Sequence, residues 1–231
     1  MTEKRHILIS GERGVGKSTL IEKLLAASSR PRYGFITKMR PADETGFHPI
    51  YIHPAGQPVA ERAYTETNCI GTCDSRTHRP NLDAFNVLGV RYIEAARPDG
   101  IIVMDELGFF EAKADDFTAV VLTALAGDIP VLAAVKSRTD LPFLNAVRAV
   151  PKAEVIHITP ENRDELFEKL LPCVRHLIAQ NKQSLMQRLF SFLNIYGSGV
   201  VSTSSGSGTV SSEISETVVG GAPFTTVTRP L

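Results

Sequence analysis

Four residues carry the most specific chemical pattern in this chain. Lys17 and Ser18 are adjacent in "GERGVGKSTL", and Asp105 and Glu106 are adjacent in "GIIVMDELG". The first stretch runs Gly-x-x-x-x-Gly-Lys-Ser from Gly11 to Ser18. Glycines at such spacing let the backbone bend so that successive N–H groups point inward, where they attract phosphate oxygens. A lysine and a hydroxyl at the end of that loop suit the β- and γ-phosphates of a nucleotide and its Mg²⁺ ion, respectively. The expected phosphate-binding residues are Gly11, Glu12, Arg13, Gly14, Val15, Gly16, Lys17, Ser18 and Thr19.

Asp105 closes an apolar run, the setting in which an aspartate beside a phosphate loop contacts Mg²⁺. Ser18 and Asp105 are therefore the expected metal residues. A carboxylate in the next position, Glu106, can orient a water and take its proton during attack on the γ-phosphate. Lys17 and Glu106 are the expected catalytic residues, and the pair of acids favours hydrolysis. A kinase avoids an activated water beside its ATP, and switch GTPases commonly use a glutamine from a separate loop.

These residues need a scaffold that brings two distant segments together. Apolar runs at 6–10, 33–39, 47–53, 100–106, 130–135 and 153–159 alternate with amphipathic stretches at 17–28, 82–96, 115–126, 141–149 and 161–180. The unbroken apolar character of "IIVM" and "VLAAV" suits strands covered on both faces. The pattern predicts an α/β sandwich, a mostly parallel sheet flanked by helices, with the phosphate loop between the first strand and helix. "TGFHPIYIHPAGQP" reads as a β-hairpin insert. In "TPENRDE", Thr159 caps the last core helix and Pro160 takes its first position. Along that helix Leu166, Phe167, Leu170, Leu171, Val174 and Leu177 form a core-packing stripe.

Composition narrows the setting. The chain has 231 residues, 43% of them hydrophobic, which suffices for one full domain of ordinary size. Its 25 basic and 25 acidic residues cancel, so there is no general pull toward nucleic acid or an anionic membrane. No window approaches the roughly 20 apolar residues that span a bilayer, and the three cysteines suit a reducing compartment. A soluble, cytoplasmic protein is expected. Its units are a nucleotide-binding domain over 1–182, an amphipathic helix over 183–195 and a flexible Ser/Thr/Gly-rich tail over 196–231.

The chain resembles the P-loop nucleoside-triphosphatases of thermophilic archaea and bacteria, relatives of the human cancer-related nucleoside-triphosphatase. The resemblance rests on "GERGVGKSTL", "GFITKMR" followed by "TGFHPIYI", "IIVMDELGFFEA" and "VLAAVK", in that order. An Asp-Glu-(Ile/Leu)-Gly-x-x-Glu signature is met by Asp105, Glu106, Leu107, Gly108 and Glu111. Carried over, the resemblance implies phosphate binding by Gly11 to Thr19, Mg²⁺ binding by Ser18 and Asp105, and Glu106 as general base. It also implies hydrolysis of ATP, GTP and other nucleoside triphosphates with little base preference. Phe109 and Phe110 depart from the family's usual residues at those positions, and 68–85 follows its path only loosely.

Other residues are open to two readings. Lys136 and Arg138 lie just past a core strand, where they can neutralise charge on the γ-phosphate or simply face solvent. The same holds for Lys38 and Arg40. Cys69, Cys73 and His78 lack the second pair that a tetrahedral metal site needs, and read as loop residues. The guanine-selecting Asn-Lys-x-Asp sequence is absent, so nothing favours GTP. Two rivals to hydrolysis share the loop and scaffold: a nucleoside, nucleotide or polynucleotide kinase, and a non-enzymatic nucleotide-binding adaptor.

Overall fold

The computed structural model describes residues 4–176. Strands β1 (His6–Gly11), β2 (Arg32–Met39), β3 (His48–Pro54), β4 (Cys69–Cys73), β5 (His78–Pro80), β6 (Ile101–Leu107), β7 (Val131–Lys136) and β8 (Ala153–His157) join one sheet. Its order is β5-β4-β3-β2-β6-β7-β1-β8, with β2, β6, β7, β1 and β8 mutually parallel. Helices α1 (Lys17–Ala26), α3 (Asp115–Ala126) and α4 (Pro142–Arg148) connect or follow the parallel strands. Helix α2 is continuous from Leu82–Ala84 through a wider π turn, Phe85–Gly89, to Val90–Glu94. Helix α5 covers residues 163–176.

Both faces of the central strands are apolar because successive side chains point to opposite sides. In β1, Ile7 and Ile9 pack with Leu20, Leu24 and Leu25 of α1 and Leu166, Leu170 and Val174 of α5. Leu8 faces the other way, into a cluster with Phe35, Ile52, Phe85 and Phe117. Phe117 of α3 meets Phe35 and Phe85 edge-on, each with ring centroids 5.4 Å apart. The continuous apolar runs thus mark strands buried on both sides, as expected for the α/β sandwich.

The antiparallel part is more extensive than a local insert. β3 returns beside β2, from Phe35 opposite Pro54 to Met39 opposite Ile50. β4 then pairs with β3 and β5 with β4. β4 and β5 correspond to no strand expected from the sequence, because β4 contains Gly71 and β5 is three exposed residues ending at Pro80.

Helix α5 begins at 163, two residues later than expected. Thr159 Oγ1 accepts from the Asn162 N–H at 3.3 Å and Asn162 Oδ1 accepts from the Thr159 N–H at 2.8 Å. This reciprocal cap leaves Pro160 in the capping turn. Leu177, the expected helix at 183–195 and the tail at 196–231 lie outside the described residues. Among the described residues no helix is long and apolar enough to cross a membrane.

Candidate active site

The phosphate loop leaves β1 at Gly11 and enters α1 at Lys17. Gly14 (φ 79°) and Gly16 (φ 111°) both occupy left-handed backbone, which a side chain would strain. Val15 is buried in the α1 side of the core and anchors the loop. Gly16 caps α1 without any side-chain hydrogen bond, and no acid occupies the helix's first turn. The helix supplies no carboxylate of its own to its positive end, which favours anion binding there. Val15 N–H reaches Glu12 O at 3.5 Å and Leu20 N–H reaches Gly16 O at 2.9 Å. Ser18 and Thr19 are exposed at the start of the helix. The remaining loop residues face outward: Glu12 Oε1 accepts from Ser137 Oγ at 3.2 Å, and Arg13 lies 3.8 Å from Met39 Sδ.

Lys17 is buried at 7% exposure, so its ammonium requires partners. It donates to Gly11 O at 2.8 Å and Glu12 O at 2.9 Å. It also lies 3.0 Å from Glu106 Oε1, an ion pair that lacks hydrogen-bond geometry, leaving that oxygen buried without a hydrogen-bond partner. Glu106 Oε2 accepts from Lys136 Nζ at 2.9 Å. Parallel pairing of β6 with β7 brings these residues together, and Glu106 lies at a register shift of that pairing, between Met104 and Leu107 near the end of β6.

Asp105 comes from the same strand end and is 4% exposed. Ser18 Oγ donates to Asp105 Oδ1 at 2.9 Å. Burial pushes the Asp105 carboxyl above its ordinary value, opposed by the Ser18 hydrogen bond and then by the charge of Lys38. Thr37 Oγ1 donates to Asp105 O at 3.2 Å, tying β2 to this corner. A serine hydroxyl and a carboxylate 2.9 Å apart are the hard oxygen donors that Mg²⁺ prefers. Among the described residues no cluster of three or more His, Cys, Asp or Glu side chains is placed to hold a metal by itself. The donor set therefore fits an ion that keeps waters and shares substrate phosphates.

Of the two loop cations left open by the sequence, Lys136 joins the site and Arg138 does not. Arg138 pairs with Asp140 (Nε to Oδ1, 2.9 Å). Lys38 stands beside Asp105, whereas Arg40 stacks on Tyr64, 4.6 Å from its ring centre. Cys69 and Cys73 lie at the two ends of β4, and His78 is opposite Cys73 across the β4–β5 pair.

Glu111 is a functional candidate to which the sequence assigned no role beyond its place in the signature. It is 3% exposed and accepts a hydrogen bond from the Gly108 N–H. Burial pushes its carboxyl up to about 7, against the pull of that hydrogen bond. Lys136 and Glu106 both act on it electrostatically, in opposite senses. A single glutamate after Phe109 and Phe110 does not declare itself buried, and its spacing from Asp105 is what marks it.

Comparison with known proteins gives the family and the fold. The chain matches the NTPase family over residues 6–171. It is 34% identical over 171 residues to the nucleoside-triphosphatase THEP1 of Methanocaldococcus jannaschii, an alignment covering 71% of this chain and 94% of that protein. It is 28% identical over 176 residues to nucleoside-triphosphatase THEP1 of Aquifex aeolicus, covering 71% and 96%. The crystal structure of THEP1 from Aquifex aeolicus superposes with a TM-score of 0.57 at 24% identity, covering 73% of this chain and 98% of that one, and shows the shared fold. With its phosphate loop, paired strand-end acids and sheet order in place, this chain belongs to the NTPase family.

Proposed function

We propose that the chain is a Mg²⁺-dependent nucleoside-triphosphatase that cleaves the bond between the β-bridging oxygen and the γ-phosphorus of ATP, GTP and related nucleotides, with Glu106 activating the attacking water. The relatives named nucleoside-triphosphatases support the activity. The observation that carries the mechanism is the placement of Glu106 between Lys17 and Lys136, at 3.0 and 2.9 Å.

Lys17 and the loop N–H groups bind the phosphates. Ser18 and Asp105 would hold Mg²⁺, which when bound neutralises charge on the β- and γ-oxygens. A γ-phosphate carries more negative charge than the carbonyls of Gly11 and Glu12 and competes with them for the Lys17 ammonium. Lys136 keeps hold of Glu106 Oε2. Oε1, which accepts no hydrogen bond from the protein, takes the proton of the attacking water. The water oxygen bonds to the γ-phosphorus as the bond to the β-bridging oxygen breaks, and the diphosphate leaves with the bridging oxygen's electron pair. Lys17 and the loop amides stabilise the charge that gathers on those oxygens, and positioning supplies most of the remaining acceleration.

Phosphate release from ATP, GTP, CTP and UTP, with Mg²⁺ and with excess chelator, tests this reading. Release from several nucleotides that stops on chelation is expected. Tight nucleotide binding with no release in the absence of an acceptor or partner would overturn it in favour of the kinase or the adaptor.

A further inference from the structure

A cavity of about 570 Å³ opens between α1, β2 and the connection that follows β3. No residue of the phosphate loop lines it. It adjoins the candidate active site through two elements. Glu22 lies one helical turn beyond Ser18 on α1. Lys38 follows Thr37, whose hydroxyl is bonded to the Asp105 carbonyl.

The charge of the cavity wall is lopsided, with Arg32, Lys38 and Arg62 set against Glu22 alone. Glu22 is committed to Arg32 at 3.1 Å. Arg62 is oriented by two hydrogen bonds to Gln57 O, from Nε at 3.2 Å and Nη2 at 3.1 Å. Lys38 has no hydrogen bond or ion pair among the described residues. Behind them sits His53, 1% exposed and edge-on to the ring of Tyr64 at 5.1 Å. Burial first, then Arg62 and Lys38, hold His53 below its ordinary pKa, so it adds no charge. Lys38 and Arg62 therefore line the cavity with no salt bridge of their own among the described residues, the Lys38 charge being shared at longer range with Asp105, beside a tyrosine ring at the rim. The volume falls in the range of small-molecule sites, and two convergent cations suit a doubly charged oxyanion.

We infer that this cavity binds a second ligand, a small-molecule phosphomonoester whose phosphate lies between Lys38 and Arg62 and whose ring packs against Tyr64. The site is separate from the phosphate loop, and the inference is independent of the fate of the bound triphosphate. Its position beside Asp105 makes it suited to report on, or interact with, the neighbouring nucleotide.

Calorimetric titration of phenyl phosphate into protein saturated with Mg·ADP tests the inference, because the nucleotide already occupies the phosphate loop. A dissociation constant below about 1 mM is expected. Lys38→Met and Arg62→Leu should each weaken binding by about 10-fold or more, the scale of a charge-assisted hydrogen bond. Tyr64→Ala, on the exposed rim, should weaken it in a variant that leaves the core untouched. Absence of binding to the Mg·ADP form up to about 10 mM would overturn the inference. So would binding to the Mg·ADP form that is undiminished in Lys38→Met and Arg62→Leu.

Discussion

Lys136 Nζ donates to Glu106 Oε2 at 2.9 Å, while Lys17 Nζ lies 3.0 Å from the other carboxylate oxygen, Oε1. The two lysines come from the ends of adjacent strands, β1 (entering α1) and β7, and the glutamate from β6, on the other side of β7 from β1. One carboxylate is thus fixed from two sides, with Lys17 on the substrate side and Lys136 as its support.

Replacing Lys136 by methionine keeps the aliphatic stem and removes the ammonium. Glu106 then loses its orienting hydrogen bond while the phosphate loop stays intact. kcat should fall by about 10- to 100-fold, the scale of one charge-assisted hydrogen bond, with KM within about 3-fold. Steady-state kinetics of the variant with ATP separates the two terms. A large rise in KM at unchanged kcat would assign Lys136 to substrate binding instead.

Gly108 packs directly on that lysine. A Cβ added there would lie 2.7 Å from Lys136 Cε and 3.0 Å from Cδ. The obstructing atoms belong to a flexible side chain, so Gly108→Ala should fold with a stability loss of about 1 kcal/mol. The displaced lysine should nevertheless lower kcat. A double-mutant cycle with Lys136→Met is the check: both changes act on one contact, so their effects on kcat should be far from additive. Additive losses would show that Gly108 acts through something other than Lys136.

Glu111 predicts a pH dependence of stability. In the folded chain its carboxyl titrates at about 7, against an ordinary value of 4.5, because it is buried. Below the ordinary value both states are protonated and its contribution is fully present. As pH rises toward about 7 the unfolded chain releases this proton first, and stability falls by roughly 3 kcal/mol before levelling off. Glu111→Gln keeps an acceptor for the Gly108 N–H and removes the ionisation. Urea unfolding at about pH 5 and about pH 8 should show a smaller loss on the alkaline side for the variant than for the parent. Equal losses would mean that Glu111 is not the group responsible.

The parts of the site that were legible in the sequence are those whose chemistry is local. The loop from Gly11 to Ser18 needs its glycines and its Lys-Ser pair within one short stretch, and Asp105 and Glu106 need only the end of an apolar strand. The apolar runs for β1, β6 and β7 were legible because burial on both faces requires them. Lys136 and Arg138 were indistinguishable, since only the pairing of β6 with β7 decides which reaches Glu106. Glu111 was legible as a signature position but not as a buried acid, because burial there depends on how the loop after β6 folds back. β4 and β5 were missed for a different reason. Short antiparallel edge strands containing Gly71 and Pro80 carry little of the alternation by which strands are recognised.

The most direct test of Glu106 as the water-activating base is Glu106→Gln, with phosphate release and nucleotide affinity measured on the same preparation in the presence of Mg²⁺. Turnover should fall by at least about 100-fold while affinity for ATP changes by less than about 3-fold, as expected when a proton acceptor is removed from an otherwise assembled site. Turnover close to that of the parent protein would contradict the mechanism and remove Glu106 from it.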